Sequence, residues 1–190
     1  MAATEETSGL RPARLFFALW PDLATQRQLG SAVEQMRLDV LCGGRKTKLE
    51  NIHLTLVFLG DVDTARLPLL HQIADGIRES KTGAFDFTIE EIGYWRHNRI
   101  VYLAPREVPA ELTHLVSSLE DGVSNAGFRL ESKPYAPHIT LMRNAHCPVL
   151  PALAPALPTP ITWRAHEWLL VKSEQTSGGS AYVPLGRWSL

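Results

Sequence analysis

The sequence predicts an α+β fold with substantial antiparallel pairing, and three observations carry that expectation. Strand-like segments, short and either alternating or continuously apolar, interleave with longer segments of helical spacing. The order reads strand, helix, strands, helix, strands, helix, strands, so strands come in runs. A tetrapeptide pattern, His-aliphatic-Thr-Leu, occurs at His53 and again at His138, each time in a strand that follows a helix. That weak repeat is too divergent for a solenoid. It fits two pseudo-symmetric lobes whose antiparallel sheets line a central cleft, with helices outside.

Each element has its own local signal. Leu15 to Trp20 is an apolar run ended by Pro21, which reads as a buried strand. Asp22 then caps a helix carrying Leu23, Gln26, Leu29 and Val33 through Met36. Gly43-Gly44 breaks the chain. His53 to Leu59 is strand-like, with Gly60 expected to close it. Asp61 or Asp63 caps a helix with Leu67, Leu70, Ile73, Ala74 and Ile77, and Pro68 sits in its first turns, where proline is tolerated. Phe85 to Ile89 alternates with period two, and Arg99 to Leu103 reads as its neighbour, leaving Gly93 to Asn98 as the hairpin loop. Val108 to Ser124 is a helix with Leu112, Leu115, Val116 and Leu119 on one face. His138 to Met142 is a strand, and Cys147 to Pro160, rich in proline and alanine, reads as an extended connection. Trp163 to Lys172 and Ala181 to Trp188 are the last strands, joined by the turn Thr176 to Ser180.

Composition bounds the classes. Hydrophobic residues make up 45% and charged residues 21% of 190 residues, as in an ordered globular chain able to bury a core without metal or disulfide. Residues 1–13 are polar and read as a flexible tail, leaving 14–190 as a single bilobal domain. The chain shows no secretory signal and no stretch of membrane-spanning length, so a cytoplasmic protein is expected. Cys42 and Cys147 form neither a CxxC pair nor a zinc-finger spacing, and two free thiols are the expectation in that compartment. The formal charge of −1 excludes a protein that coats long nucleic acid. Contact with a nucleic acid would be local: one end, one phosphate, a few nucleotides.

The two tetrapeptides carry the chemistry. Alternate residues of a strand share a face, so His53 and Thr55 point one way and Leu54 and Leu56 the other, and His138-Ile139-Thr140-Leu141 repeats the arrangement. One such histidine is an ordinary strand residue; two matched copies point to a function. Histidine both gives and takes protons near neutral pH. A neutral and a protonated imidazole can together run an in-line displacement at phosphorus, while threonine hydroxyls donate to the non-bridging oxygens. Such chemistry requires no cofactor and no metal.

The paired motifs resemble the 2H phosphoesterase superfamily, whose signature is two His-x-Thr/Ser-x tetrapeptides on facing strands. Arg14 to Ala18, Asn51 to Gly60, Pro137 to Arg143, strand Arg99 to Leu103 and the closing Tyr182 to Trp188 are similar to its RNA 2',3'-cyclic phosphodiesterase branch, also called RNA 2'-5' ligase. The resemblance implies a bilobal cleft in which a 2',3'-cyclic phosphate at an RNA 3' end opens to a 2'-phosphate. It implies His53 as proton donor to the departing 3' oxygen and His138 as acceptor from water. It implies Thr55 and Thr140 on the phosphate and Arg143 as a further phosphate ligand, a task suited to the planar guanidinium. In the ligation direction the two histidines could exchange these roles.

RNA ends are held by stacking bases on aromatic rings, which makes Tyr135 and Trp95 candidates for substrate binding. Lys46, Lys48 and Lys133 precede the motif strands and read as solvated lysines. The expected partners are RNA 3' ends or short oligonucleotides, with no membrane and no protein partner, and a monomer. Competing readings on the same residues are a phosphodiesterase for ADP-ribose cyclic phosphate or 2'-5' oligoadenylate, and a non-catalytic module that binds RNA ends. A metal hydrolase is disfavoured, because the motif strands offer two imidazoles and hydrolytic zinc sites want three protein ligands.

Overall fold

A computed structural model describes residues 12–79, 83–148, 150, 156–177 and 179–190. The elements run β1 (Ala13–Leu19), α1 (Leu23–Gln35), α2 (Leu38–Cys42), β2 (Arg45–Lys46), β3 (Leu54–Val62), α3 (Leu67–Glu79), β4 (Phe85–Trp95), β5 (Ile100–Ala104), α4 (Ala110–Asn125), β6 (Ile139–Arg143), β7 (Ala156–Ala165), β8 (Glu167–Thr176) and β9 (Gly179–Ser189). The fold is α+β. Of the expected tail, residues 1–11 lie outside the described residues, and Ala13 already opens β1 as a buried strand residue.

Every strand pair among the described residues is antiparallel. The sheet order is β7-β4-β5-β6-β3-β1-β8-β9, with β2 added on β6. Two four-stranded halves meet between β6 and β3, and that junction is a single pair, Leu54 with Ile139. Both side chains are fully buried. Helix α1 places Leu29, Ala32 and Val33 in the core, and α4 places Leu112, Leu115, Val116, Leu119 and Val123 there. Asp22 caps α1 by accepting from the Thr25 amide, as its sequence position predicts.

Strand β1 separates two faces. Leu15, Phe17 and Leu19 enter the main core, while Phe16 and Ala18 pack on the other side with Leu169 and Val171, beneath Trp20 and Tyr182. The exposed Arg14 belongs to this second row by alternation.

Several boundaries differ from the sequence reading. Gly60 does not close β3, which runs to Val62; its φ of +70° accommodates the register shift at Leu15/Phe16 on β1. Strand β4 continues through Trp95, which pairs with Ile100, so Trp95 ends a strand rather than sitting in a loop. The expected single strand from Trp163 to Lys172 is two, β7 and β8, meeting at His166. The expected connection Cys147 to Pro160 gives its last five residues to β7, including Pro158 and Pro160. Those prolines are tolerated because β7 is an edge strand and they lie in the irregularity opposite Ile89/Glu91. Pro184 occupies the opposite edge strand, β9.

The cysteines depart furthest from expectation. Cys42 and Cys147, 105 positions apart, are joined in a disulfide with their Cα atoms 4.4 Å apart. Pairing of β2 with β6 brings the end of α2 beside the exit of β6, and the His146 amide donates to the Cys42 carbonyl. Gly43 and Gly44, both at positive φ, make the turn between the disulfide and β2. A Cβ on Gly44 would lie 2.7 Å from the Arg143 carbonyl oxygen, so only glycine fits. Cysteine spacing carries no signal for so distant a pairing.

Candidate active site

The junction between the half-sheets is also where the two motifs meet. Leu54 is opposite Ile139, so continuing the antiparallel register by one residue in each direction sets His53 opposite Thr140 and Thr55 opposite His138. Each histidine is thus crossed with the other motif's threonine. A small cavity is lined by His53 and Thr140 together, and a larger cleft, about 650 Å³, by Thr55, His138 and Thr140. Each histidine stands one residue before its strand, just outside the ladder, with Leu54 or Ile139 driven into the core behind it.

The two imidazoles are held alike. His53 Nδ1 lies 2.7 Å from the Asn51 carbonyl oxygen, and His138 Nδ1 lies 2.8 Å from the Ala136 carbonyl oxygen. A carbonyl only accepts, so Nδ1–H is the donor in each case. Nε2 is left as the proton-transfer atom on both rings. Asn51 is itself buried and tied to the β8–β9 turn, its side-chain amide donating to the Ser180 carbonyl.

The surroundings differ. His53 stacks on Trp20, 5.1 Å between centroids and 7° from parallel, and packs 5.1 Å from both Phe16 and Tyr182. Burial among these rings pushes its pKa down to about 4, Arg143 and His138 adding to the fall and the hydrogen bond to Asn51 opposing it. His138 meets the edge of Trp95 at 4.5 Å and Tyr102 at 6.1 Å. Its pKa is also lowered, first by burial and further by Arg143. Both rings keep some exposure to the cleft. The free site therefore presents two neutral imidazoles at pH 7, and an anion between them would raise the proton affinity of both.

The other candidates fall into place unevenly. Arg143 ends β6 and lines the cavities on both sides of the histidines. Trp95 lies in the large cleft, supported by Tyr102 at 4.2 Å. Tyr135 lines the same cleft, but its hydroxyl is committed to the Thr55 carbonyl at 3.3 Å, and burial raises its pKa. It braces the motif strand. Lys46 is held by Glu34 and Asp39, at 2.6 and 3.2 Å, and Lys133 by Glu131 at 2.7 Å. Among the described residues, no group of three or more His, Cys, Asp or Glu side chains is placed to hold a metal ion.

Sequence reasoning missed Phe16, Trp20 and Tyr182 around His53. It also missed Arg14 and Arg45, which line a second cavity of about 450 Å³ beside His53. Alternation along β1 is a signal that could have placed Arg14, Phe16 and Trp20 on one face. For Tyr182 and Arg45 there was none, since non-local pairing brings them to the cleft.

Crossed His-x-Thr pairs at a β-seam, with an arginine beside them, make this a phosphoesterase of the two-histidine class. The family model for the 2'-5' RNA ligase superfamily matches residues 21–177, and the chain belongs to that superfamily. It is 33% identical over 150 residues to the RNA 2',3'-cyclic phosphodiesterase of Escherichia coli, covering 77% of this chain and 80% of that one. The Thermus thermophilus RNA 2',3'-cyclic phosphodiesterase is 28% identical across 93% of this chain and 90% of its own. The crystal structure of E. coli LigT complexed with 3'-AMP superposes with a TM-score of 0.82 at 29% identity, over 94% of this chain and 98% of that one. LigT complexed with ATP matches at 0.77 and 28% identity, over 94% and 98%. No helix among the described residues is long and apolar enough to cross a membrane.

Proposed function

We propose that this chain hydrolyses 2',3'-cyclic phosphates at RNA 3' ends to 2'-phosphates, with His53 and His138 as the proton-transfer pair. The observation that carries the reading is the Leu54–Ile139 register, whose continuation sets His53 opposite Thr140 and Thr55 opposite His138 at the seam. The curated relatives share the cyclic-phosphodiesterase activity by name, which supports the same reaction here.

In this reading the cyclic phosphate lies between the two Nε2 atoms, its non-bridging oxygens on the Thr55 and Thr140 hydroxyls and Arg143. His138 takes a proton from water as the water oxygen bonds to phosphorus. The P–O3' bond breaks, and protonated His53 delivers its proton to O3'. The products are a 2'-phosphomonoester and a free 3'-hydroxyl. Burial favours neutral His53 in the free site, so its donor role depends on the phosphate anion lifting its pKa on binding. With a 5'-hydroxyl in place of water, the same seat supports 2'-5' ligation with the histidines keeping these roles rather than exchanging them.

Trp95, half-buried in the wall of the large cleft against Tyr102, and Tyr135, whose hydroxyl also braces β3, are the base-stacking candidates in this reading. The domain is one bilobal unit over 14–190, working as a cytoplasmic monomer on RNA ends.

The test is incubation of the protein, with chelator, with a short RNA ending in a 2',3'-cyclic phosphate. Chromatography against 2'- and 3'-phosphate standards identifies the product. A 2'-phosphate lost in His53→Ala and His138→Ala is the expected result; turnover that survives in the double variant overturns the two-histidine mechanism.

A further inference from the structure

The space around the histidines has two branches of different electrostatic character. The larger, on the His138 side, carries Glu120 and Glu131 together with Lys133 and Arg143, so its formal charges balance, and the rest of its wall includes Trp95 and apolar residues. The smaller, on the His53 side, has Arg14, Arg45 and Arg143 in its lining, with Ser173, Gln175 and Ser180, and no carboxylate. None of these three arginines has a carboxylate within ion-pair distance among the described residues.

Register makes the clustering costly. Arg45 on β2 is the direct cross-strand partner of Arg143 on β6. Directly opposed residues of an antiparallel pair project on one face, and like charges there are destabilising. A protein meets that cost where an anion sits between the charges. Arg143 serves the reacting phosphate, but Arg45 and Arg14 lie in the branch beyond His53. Arg14 is steadied over the Phe58 ring at 4.9 Å and lies between Ser173 on β8 and Asp61 on β3, the Asp61 carboxylate being beyond ion-pair distance. Arg45 rests against the β8–β9 turn, where a Cβ on Gly179 would come 3.3 Å from its guanidinium.

We propose that Arg14 and Arg45 form a subsite for a second phosphate, the one on the 5' side of the nucleoside whose cyclic phosphate is opened. In-line displacement fixes the direction. O3' leaves on the side of the proton donor, His53, next to the arginine branch; with the base turned toward Trp95 in the larger branch, the 5' substituent is the part of the nucleoside that reaches Arg14 and Arg45. The placement of the first phosphate rests on the cyclic-phosphodiesterase reading. The subsite makes the enzyme one for cyclic ends that carry a 5' phosphate or phosphodiester, and a poor one for bare nucleoside cyclic phosphates. The same chemistry is offered by an RNA chain and by the pyrophosphate of ADP-ribose cyclic phosphate.

Calorimetry with adenosine 2'-monophosphate and adenosine 2',5'-bisphosphate tests the subsite independently of turnover. The expected result is binding of the bisphosphate at least about tenfold tighter at fixed salt, as charge-assisted hydrogen bonds provide. Arg45→Gln and Arg14→Gln, both exposed positions, should each cut that ratio, and the pair together should bring it within about twofold of one. Equal binding of the two ligands by the unaltered protein, no binding of either, or a ratio that survives in the double variant overturns the proposal. Comparing kcat/KM for a dinucleotide cyclic phosphate, ADP-ribose cyclic phosphate and adenosine 2',3'-cyclic phosphate then says which molecule supplies the second phosphate. Hydrolysis of the adenosine cyclic phosphate without any gain from the 5' phosphate defeats the subsite alone. A bisphosphate preference without any cyclic-phosphate hydrolysis defeats the proposed reaction alone.

Discussion

Leu54 lies directly opposite Ile139, and this one pair joins β3 to β6 and so one half of the sheet to the other. Both residues are wholly buried, each with a motif histidine as its preceding neighbour. Packing and the proposed catalytic geometry thus share a hinge point: whatever shifts Leu54 against Ile139 shifts His53 against His138.

Leu54→Ala is expected to destabilise the protein by about 2–5 kcal/mol, the range for a large-to-small change at a fully buried site. Urea unfolding measures this. The folded fraction should also turn over cyclic phosphate more slowly, because the cavity lies at the seam; unchanged kcat in the folded variant would separate seam from site.

His53→Ala and His138→Ala should each lower kcat by about a thousandfold or more while preserving the fold, as expected of acid–base groups. Turnover of a cyclic-phosphate RNA, with circular dichroism as the folding control, checks both. The double variant should be little worse than either single one, since the two act as a unit.

His53 should titrate near 4 in the free protein and shift upward when inorganic phosphate fills the site. Histidine NMR resonances followed against pH read both. The stability consequence has a definite sign. Folded His53 takes a proton less readily than the unfolded ring, so the unfolded state protonates first as pH falls below 6.5. Stability from this residue is therefore intact above 6.5 and is lost progressively toward about 4. His53→Gln should flatten that part of the stability–pH curve.

Cys42 and Cys147 should be unreactive to thiol reagents in the folded protein without reductant. Cross-linking residues 105 apart removes unfolded-chain entropy. The Cys42→Ser/Cys147→Ser protein should unfold about 2–5 kcal/mol more easily, the usual cost of losing a native disulfide. Thiol counting and denaturant melts with and without reductant test this. Counting on protein drawn directly from cells tests the cytoplasmic assignment too, since disulfides are rare there.

Trp95→Ala should raise KM for an adenosine cyclic phosphate by about fivefold or more, in line with the worth of one base–aromatic stack. A pure packing role on Tyr102 would instead lower thermal stability and leave KM in place.

The motif strands were legible because Leu54/Leu56 and Ile139/Leu141 alternate so cleanly with His53/Thr55 and His138/Thr140. The helices α1 and α4 were legible from Leu29 and Val33 and from Leu112 to Leu119. What escaped was whatever depends on distant pairing. Arg45 reaches the cleft through a two-residue strand on β6, too short to show a period. Cys42 finds Cys147 through that same pairing. Pro158 and Pro160 argued against a strand, and only an edge position reconciles them with one. Tyr135 lines the cleft, but local sequence cannot show that its hydroxyl is spent on Thr55.

The prolines at the two ends of the sheet have a further effect. Pro158 and Pro160 on β7 and Pro184 on β9 remove amide donors from the two outermost strands. An open sheet this wide would otherwise offer two templates for strand addition by another chain. With its margins interrupted, the protein can leave a deep groove exposed at its middle without inviting aggregation at its rims.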